Sequence, residues 1–77
     1  MRFNLLDTVV LKINIPESNM YIGDIGAIVE LYDPDGIEVE FISADGTTQA
    51  LITLDRNDVR PVSGSDILAV RSLDTAA

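Results

Sequence analysis

Carboxylates are the residues of this sequence that could do chemistry, since Asp and Glu number 13 against five Lys and Arg. Asp33, Asp35 and Glu38 surround one predicted turn and offer the oxygen ligands that calcium prefers. An EF-hand loop needs ligands at alternating positions and a bidentate Glu at its twelfth position, and this spacing is absent. A tight turn explains these residues, so we predict no metal site.

Glu38 and Glu40 could instead form an acid–base pair. They are two residues apart and therefore face the same side of a predicted strand. General acid–base catalysis requires a pocket that raises one carboxyl pKa above its ordinary value of about 4.3, and an open strand face supplies no such burial. We interpret the pair as part of a solvated surface.

The sequence contains no His and no Cys. This composition removes the thiolate zinc site, the Cys or His nucleophile and the usual general base at neutral pH. Ser43, Ser63 and Ser65 have no histidine partner, and Lys12 stands alone in a predicted strand. We predict that the protein is not an enzyme and binds no cofactor.

The five basic residues are scattered along the chain: Arg2, Lys12, Arg56, Arg60 and Arg71. A net charge of −8 repels phosphate backbones and anionic lipid surfaces at long range. We expect Arg56 and Arg60 to pair with Asp55, Asp58 or other nearby carboxylates. The charge pattern therefore argues against nucleic acid and membranes as partners.

A chain of 77 residues has room for one small domain, and its hydrophobic content of 47% predicts a folded chain rather than a disordered one. No apolar run approaches the roughly 20 residues of a membrane helix. The first residues show no export signal, so we expect a cytoplasmic protein.

Short apolar runs separated by Gly, Pro and Asp-Gly pairs predict several strands joined by turns. The run from Ile37 to Phe41 alternates strictly, which places Ile37, Val39 and Phe41 in the core and Glu38 and Glu40 outside. The expected strands cover residues 8–13, 27–32, 37–41, 47–53 and 59–62, with one helical turn over 54–58.

Five residues are expected to shape the turns: Gly23, Gly26, Pro34, Gly36 and Gly46. Gly23 and Gly26 permit a positive φ or a close approach of two backbones. In the Asp-Pro-Asp-Gly hairpin, Pro34 fixes φ and Gly36 is expected to take the left-handed conformation.

Strands of this number and length are too short to form two filled sheets, but they can curl into a small, partly open, SH3-like barrel. We therefore predict a mostly β domain over residues 1–62. Residues 63–77 form a tail in which Ser65 and Asp66 could cap a short helix. A helix this short is marginal by itself, so the tail either docks or is disordered.

The order of several motifs resembles a small bacterial family known as domain of unknown function 4926. The similarity covers residues 3–62 and rests on these segments: Phe3 to Leu11, Gly23 to Glu30, Ile37 to Phe41, Asp45-Gly46, Leu54 and Asp58 to Val62. More distantly, the pattern resembles SH3-like barrels of photosystem I accessory subunits, nitrile hydratase beta-like domains and KOW segments. The resemblance implies a fold but transfers no catalytic or binding residue.

Several apolar side chains are expected to point away from the core and to form a candidate interface: Val10, Ile28, Tyr32, Ile42 and Leu51. A contiguous exposed apolar patch usually marks an interface. The alternative is that a strand bulge turns some of these side chains inward, or that residues 63–73 cover them. We predict a non-catalytic interaction module that forms a homo-oligomer or docks on another protein, and its acidity suggests an inhibitor or antitoxin-like partner of a basic protein. The alternative, by fold analogy, is a KOW-like barrel associated with nucleic acid or the ribosome.

Overall fold

The computed structural model describes residues 2–73 as five strands and two single 3-10 turns. The strands are β1 (Thr8–Leu11), β2 (Ile25–Tyr32), β3 (Gly36–Ile42), β4 (Thr48–Asp55) and β5 (Val59–Pro61). The 3-10 turns cover Pro16–Ser18, in the long loop after β1, and Arg56–Asp58, between β4 and β5. The predicted strands and the helical turn before the last strand are therefore present, with ends displaced by a few residues.

All neighbouring strands pair antiparallel in one sheet of order β4-β3-β2-β1-β5. The sheet is not closed, because β4 and β5 are its two edges. This arrangement agrees with the mostly β, partly open barrel that the sequence predicts. Pro61 lies in the edge strand β5, as expected of a residue that cannot donate a ladder hydrogen bond.

The core lies on the inner face of the sheet and follows the alternation of the strands. Ile37, Val39 and Phe41 of β3 are at most 3% exposed, which confirms their predicted orientation. The core cluster contains Phe3, Val9, Leu11, Ile15, Met20, Ile28, Ile37, Val39, Phe41, Leu54 and Val59. The long loop after β1 therefore contributes to the core through Ile15 and Met20.

Ile28 was predicted to point outward, and this prediction is wrong. Its side chain is fully buried in the core, opposite Val39 of β3. The pairing of β2 with β3 shifts between Ile28 and Glu30, so that Val29 is an additional residue in β2. Because alternation counted back from Glu30 does not allow for this bulge, it assigns Ile28 to the wrong face.

Val10 was also predicted to be an exposed interface residue, but only 7% of it is exposed. It lies on the opposite face from Val9 and Leu11 and is not part of the core cluster. β1 is an interior strand, and the cross-strand partners of Val10 are Ile25 of β2 and Arg60 of β5. We attribute its burial to these flanking, larger side chains.

The turns use their glycines in different ways. Gly23 and Gly46 have positive φ values of 96° and 87°. The Asp33-Pro34 turn joins β2 to β3 as a hairpin, with a cis peptide bond before Pro34. Gly36 does not adopt the left-handed conformation expected of it, because it begins β3 and pairs with Tyr32 in the ladder.

The described part of the tail, residues 63–73, contains no helix. A tight turn at its start is held by the Asp66 N–H, which donates to the Ser63 carbonyl, and by the Ser63 N–H, which donates to the Asp66 carboxylate. Leu73, at the other end of this part, packs against the core. Residues 74–77, for which the sequence left a helix or disorder open, lie outside the described residues.

Gly26 permits the close approach of β2 to β3 and provides a test of the fold. A Cβ atom at this position would lie 2.6 Å from Val39 Cγ1, 2.9 Å from Phe41 Cε1 and 3.0 Å from the Glu40 carbonyl oxygen. Gly26→Ala should therefore lower the free energy of unfolding by about 1–3 kcal/mol, measured by urea denaturation.

Gly64→Ala is the matched control, because no atom lies within 4 Å of the added Cβ and the φ of Gly64 is not positive. It should leave the free energy of unfolding nearly unchanged. Equal stability of the two variants would show that the strands are not packed this closely at Gly26.

Candidate interaction surface

The outer face of β2, β3 and β4 carries the side chains best placed to meet a partner. Cross-strand register brings Glu38 opposite Glu30 of β2 on one side and Thr53 of β4 on the other. Glu40 lies opposite Leu51 of β4. We call this surface, defined by Glu30, Tyr32, Glu38, Glu40, Ile42, Leu51 and Thr53, the outer face.

Two carboxylates of the outer face are held by hydroxyl groups of β4. Thr53 Oγ1 donates a hydrogen bond of 2.5 Å to Glu38 Oε1, and Thr48 Oγ1 donates one of 2.6 Å to Glu40 Oε2. Both donors lie on the edge strand β4 and hold the carboxylates of the neighbouring strand β3. Glu30, directly opposite Glu38, adds a third negative charge that costs stability, because like charges across a ladder repel.

Tyr32 lies at the end of β2 beside these carboxylates. Desolvation raises the pKa of the Tyr32 phenol, and the negative charges of Glu38 and Glu30 and a hydrogen bond with Glu38 raise it further. The phenol therefore remains protonated and able to donate a hydrogen bond over the whole physiological pH range. A tyrosine with an apolar ring and a polar tip is common in protein interfaces.

Three of the five predicted interface residues are exposed on the outer face. The exposed fractions are 46% for Tyr32, 50% for Ile42 and 57% for Leu51. Ile42 and Leu51 lie on the neighbouring strands β3 and β4. With Val10 and Ile28 buried, the candidate surface shifts from the centre of the sheet toward β3 and β4.

Three arginines are engaged with aspartates. Arg60 donates to both carboxylate oxygens of Asp66, at 2.9 and 3.0 Å. Arg56 Nη1 lies 3.7 Å from Asp35 Oδ1, and its guanidinium lies over the Phe3 ring. Arg56 and Arg60 therefore face carboxylates as expected, and these include Asp35 of the β2–β3 turn and Asp66 of the tail.

The third arginine, Arg71, fastens the tail to the domain in a contact we call the clasp. Arg71 Nε and Nη2 donate to the two carboxylate oxygens of Asp24 at 2.8 and 2.6 Å, and Nη2 also donates to the Asn19 carbonyl. The guanidinium lies over the Tyr21 ring, 5.4 Å from its centre. Sequence reasoning missed the clasp, and its one signal was Arg71 itself, the one basic residue within residues 63–77.

The clasp changes the acidity of Asp24. Burial acts to raise the pKa of this carboxyl, but the hydrogen bonds from Arg71 and the Tyr21 N–H, with the charge of Arg71, outweigh it and hold the pKa below its ordinary value. The carboxylate is therefore ionised and paired with Arg71 at neutral pH.

Two grooves flank these elements. One, of about 480 Å³, lies beside the β2–β3 turn and is lined by residues that include Tyr32, Pro34 and Arg56. The other, of about 930 Å³, lies between the tail and the sheet and is lined by residues that include Phe41, Ile42 and Val70. Within residues 2–73, no group of three or more His, Cys, Asp or Glu side chains is arranged to hold a metal ion, and no helix could span a membrane.

A protein-family model described as Domain of unknown function (DUF4926) matches residues 5–61, from just before β1 to the end of β5. The chain belongs to the DUF4926 family. Comparisons with curated proteins and with solved structures gave no match. Tyr32, Ile42 and Leu51 lie within the part that matches the DUF4926 model, whereas Arg71 and the tail lie beyond it.

Replacing Glu38 tests the electrostatics of the outer face. Glu38→Gln removes a negative charge next to Tyr32, so the pKa of the phenol should fall toward its ordinary value of about 10. The titration can be followed by the ring resonances of Tyr32 in NMR spectra. Glu17→Gln, an exposed residue of the first 3-10 turn, is the control and should leave the pKa of Tyr32 unchanged; equal pKa values in both variants would contradict the arrangement.

Removal of the clasp should release the tail. In Asp24→Asn, Arg71 loses its bidentate partner, and trypsin should cleave after Arg71 about fivefold faster. Arg71→Lys should also loosen the tail, because an ammonium cannot form the forked pair. In Arg71→Lys the loosening is measured by NMR, where the Leu73 methyl resonances should show exchange broadening.

The clasp should also respond to acid. Because the pKa of Asp24 is lowered in the folded protein, its stabilisation is present above the unfolded value of about 3.9 and is lost as the pH falls through the lower folded value. The Leu73 methyl resonances should then broaden in that acidic window while those of Val39 stay sharp. Tail resonances that stay as sharp as those of Val39 throughout this window would show that the clasp does not hold the tail.

Proposed function

We propose that this DUF4926 protein is a non-catalytic interaction module of the bacterial cytoplasm that binds another protein through its outer face and associates with itself. The observation that carries the proposal is the outer face itself, where exposed Tyr32, Ile42 and Leu51 stand among the carboxylates of Glu30, Glu38 and Glu40. Protein–protein interfaces commonly combine aromatic and aliphatic contacts at their centre with a polar rim.

The chemistry of the carboxylates supports binding over catalysis. Glu38 and Glu40 accept hydrogen bonds from threonine hydroxyls, and neither stands next to a histidine or thiol, because the sequence contains none. Threonine donors satisfy and orient a carboxylate but cannot relay a proton to a substrate at neutral pH. The arrangement therefore favours a binding role, in which the fixed carboxylates of Glu38 and Glu40 contact a partner protein.

A basic protein surface is the partner that this charge distribution fits. The chain carries a net charge of −8, which attracts a basic partner over several ångströms and raises the association rate. The fixed Glu38 and Glu40 carboxylates would meet Lys or Arg side chains, while Tyr32 and Leu51 would supply the apolar contacts. A small acidic protein of this kind could act as an inhibitor or antitoxin-like partner that masks a basic site.

The proposal predicts that basic proteins captured from a bacterial extract by the immobilised protein depend on the outer face. Neutralising both carboxylates in Glu38→Gln/Glu40→Gln should lower the amount captured by about two- to tenfold at low salt. The loss should shrink as salt rises, because added ions screen the attraction in the original protein. Tyr32→Ala should lower capture at all salt concentrations, since its contact is apolar.

Glu17→Gln serves again as the control, because Glu17 lies in the first 3-10 turn and is not part of the outer face, so its loss of charge should leave capture nearly unchanged. Capture that is equal for the double variant and the original protein would rule out the outer face as the binding surface. A captured fraction with the absorbance ratio of nucleic acid would favour a KOW-like role instead.

A further inference from the structure

β4 is a free edge of the sheet with a backbone ready to pair. It is eight residues long, and within residues 2–73 its backbone pairs with β3 alone. The N–H and C=O groups on its far side therefore have no backbone partner in the described part of the chain. An exposed edge of this length is a template for another strand, and most proteins block such edges with charge or proline.

Neither of these blocking devices is present in the regular part of β4. The segment from Thr47 to Leu54 has no charged residue and no proline. The opposite edge, β5, is only three residues long and contains both Arg60 and Pro61. A bulge near Gln49 disturbs the start of β4, where the pairing shifts between Phe41 and Ile42 of β3, so the regular edge covers residues 50–54.

We propose that β4 pairs antiparallel with β4 of a second copy of this chain, joining the two sheets edge to edge. This inference rests on the proposed role in interaction and names the surface used for self-association. Two identical edges that pair antiparallel are related by a two-fold axis perpendicular to the sheet. Because directly opposed residues must point to the same face, one residue of β4 lies opposite its own copy at this axis. An axis at Ile52 opposes Ala50 to Leu54 and Leu51 to Thr53 and uses the whole regular, uncharged segment.

The uncharged edge of β4 is the surface on which a second copy meets the least electrostatic repulsion. Two chains of −8 repel, and the repulsion is weakest where the approaching surfaces carry no charge. Asp55, the last residue of β4, follows the regular segment, and its carboxylate accepts a hydrogen bond from the Asn57 N–H of the next 3-10 turn. The next carboxylates, Glu38 and Glu40, lie one strand further in. Across the joined sheets, Glu38 of one copy and Glu40 of the other would be about 14 Å apart, which exceeds the screening length of about 8 Å at physiological salt.

The contact between the two β4 edges is small. A five-residue edge buries much less than the roughly 1,200–2,000 Å² of a stable interface, so we expect a weak dimer that forms as the concentration rises. Edge pairing leaves the outer face open, because the side chains of Tyr32 and Glu38 point perpendicular to the sheet. The dimer would then present two outer faces side by side, which would strengthen binding to a partner with two basic sites.

A pair of cysteine variants tests the register directly, since the native chain has no cysteine. Thr53→Cys and Leu51→Cys are prepared separately and mixed before mild oxidation. With the axis at Ile52, the mixture should form a disulfide-linked dimer, whereas each variant alone should form several-fold less. Self-linkage of Leu51→Cys alone would move the axis to Leu51 and still support edge pairing. Linkage in neither sample, or equal linkage by a Thr8→Cys control on β1, would overturn the proposal.

Light scattering after size exclusion tests the same edge without a cross-link. Over about 1 µM to 1 mM, the original protein should pass from monomer toward dimer. Leu51→Lys should raise the dissociation constant about tenfold, because a charge now stands on the edge. Ile42→Lys is the matched control: this residue is similarly exposed on the same face, but β3 is an interior strand, so dimerisation should remain.

The outcomes separate this inference from the proposed function. A protein that stays monomeric up to the highest concentration overturns edge pairing, whatever its capture of basic proteins. Equal loss of the dimer in Leu51→Lys and Ile42→Lys would also overturn it, because that pattern indicates stacking of two outer faces. Dimers that resist Glu38→Gln/Glu40→Gln while capture of basic proteins falls would support edge pairing and outer-face binding as two independent contacts.

Discussion

The bulge at Val29 is the constraint on which the outer face depends. β2 must place Ile28 in the core, opposite Val39, and Glu30 outside, opposite Glu38. These two demands agree only because one residue is added between the two pairs. Without it, either Ile28 would face water or Glu30 would be buried among apolar side chains, and each costs more than the local loss of a ladder hydrogen bond.

The bulge links the core to the charged surface. Ile28, Val39 and Gly26 form the tightly packed centre of the sheet, and the same register brings Glu30, Glu38 and Tyr32 together on its other side. The repulsion between Glu30 and Glu38 is thus a consequence of core packing, and the Thr53 hydroxyl, which donates to Glu38, offsets part of its cost. A small protein with few core residues cannot adjust one face of its sheet independently of the other.

The parts of the fold that the sequence predicts are those governed by local rules. Strict alternation over residues 37–41 assigns β3 correctly, and Gly23 and Gly46 have the positive φ that turn chemistry anticipates. Ile28 was misassigned because a bulge leaves no mark in the alternation of apolar residues. Val10 was misassigned because burial on the outer face depends on neighbours from two other strands.

The candidate site divides in the same way. Tyr32, Ile42 and Leu51 could be found by counting outward positions, since each lies at or near a strand end or an edge where little else can cover it. The pairing of Asp24 with Arg71 could not be found, because an ion pair between distant positions leaves no spacing pattern in one sequence. The sequence alone therefore does not decide whether the tail docks or is disordered.

The clasp joins positions that are 47 residues apart in sequence. Closing a loop of this length before the intervening strands have formed would cost conformational entropy that one ion pair cannot offset. The hairpins of β2, β3 and β4 involve much shorter separations and can form first. The Arg71–Asp24 contact is thus expected to be among the last to form during folding. The tail would then dock only on molecules whose sheet is already formed.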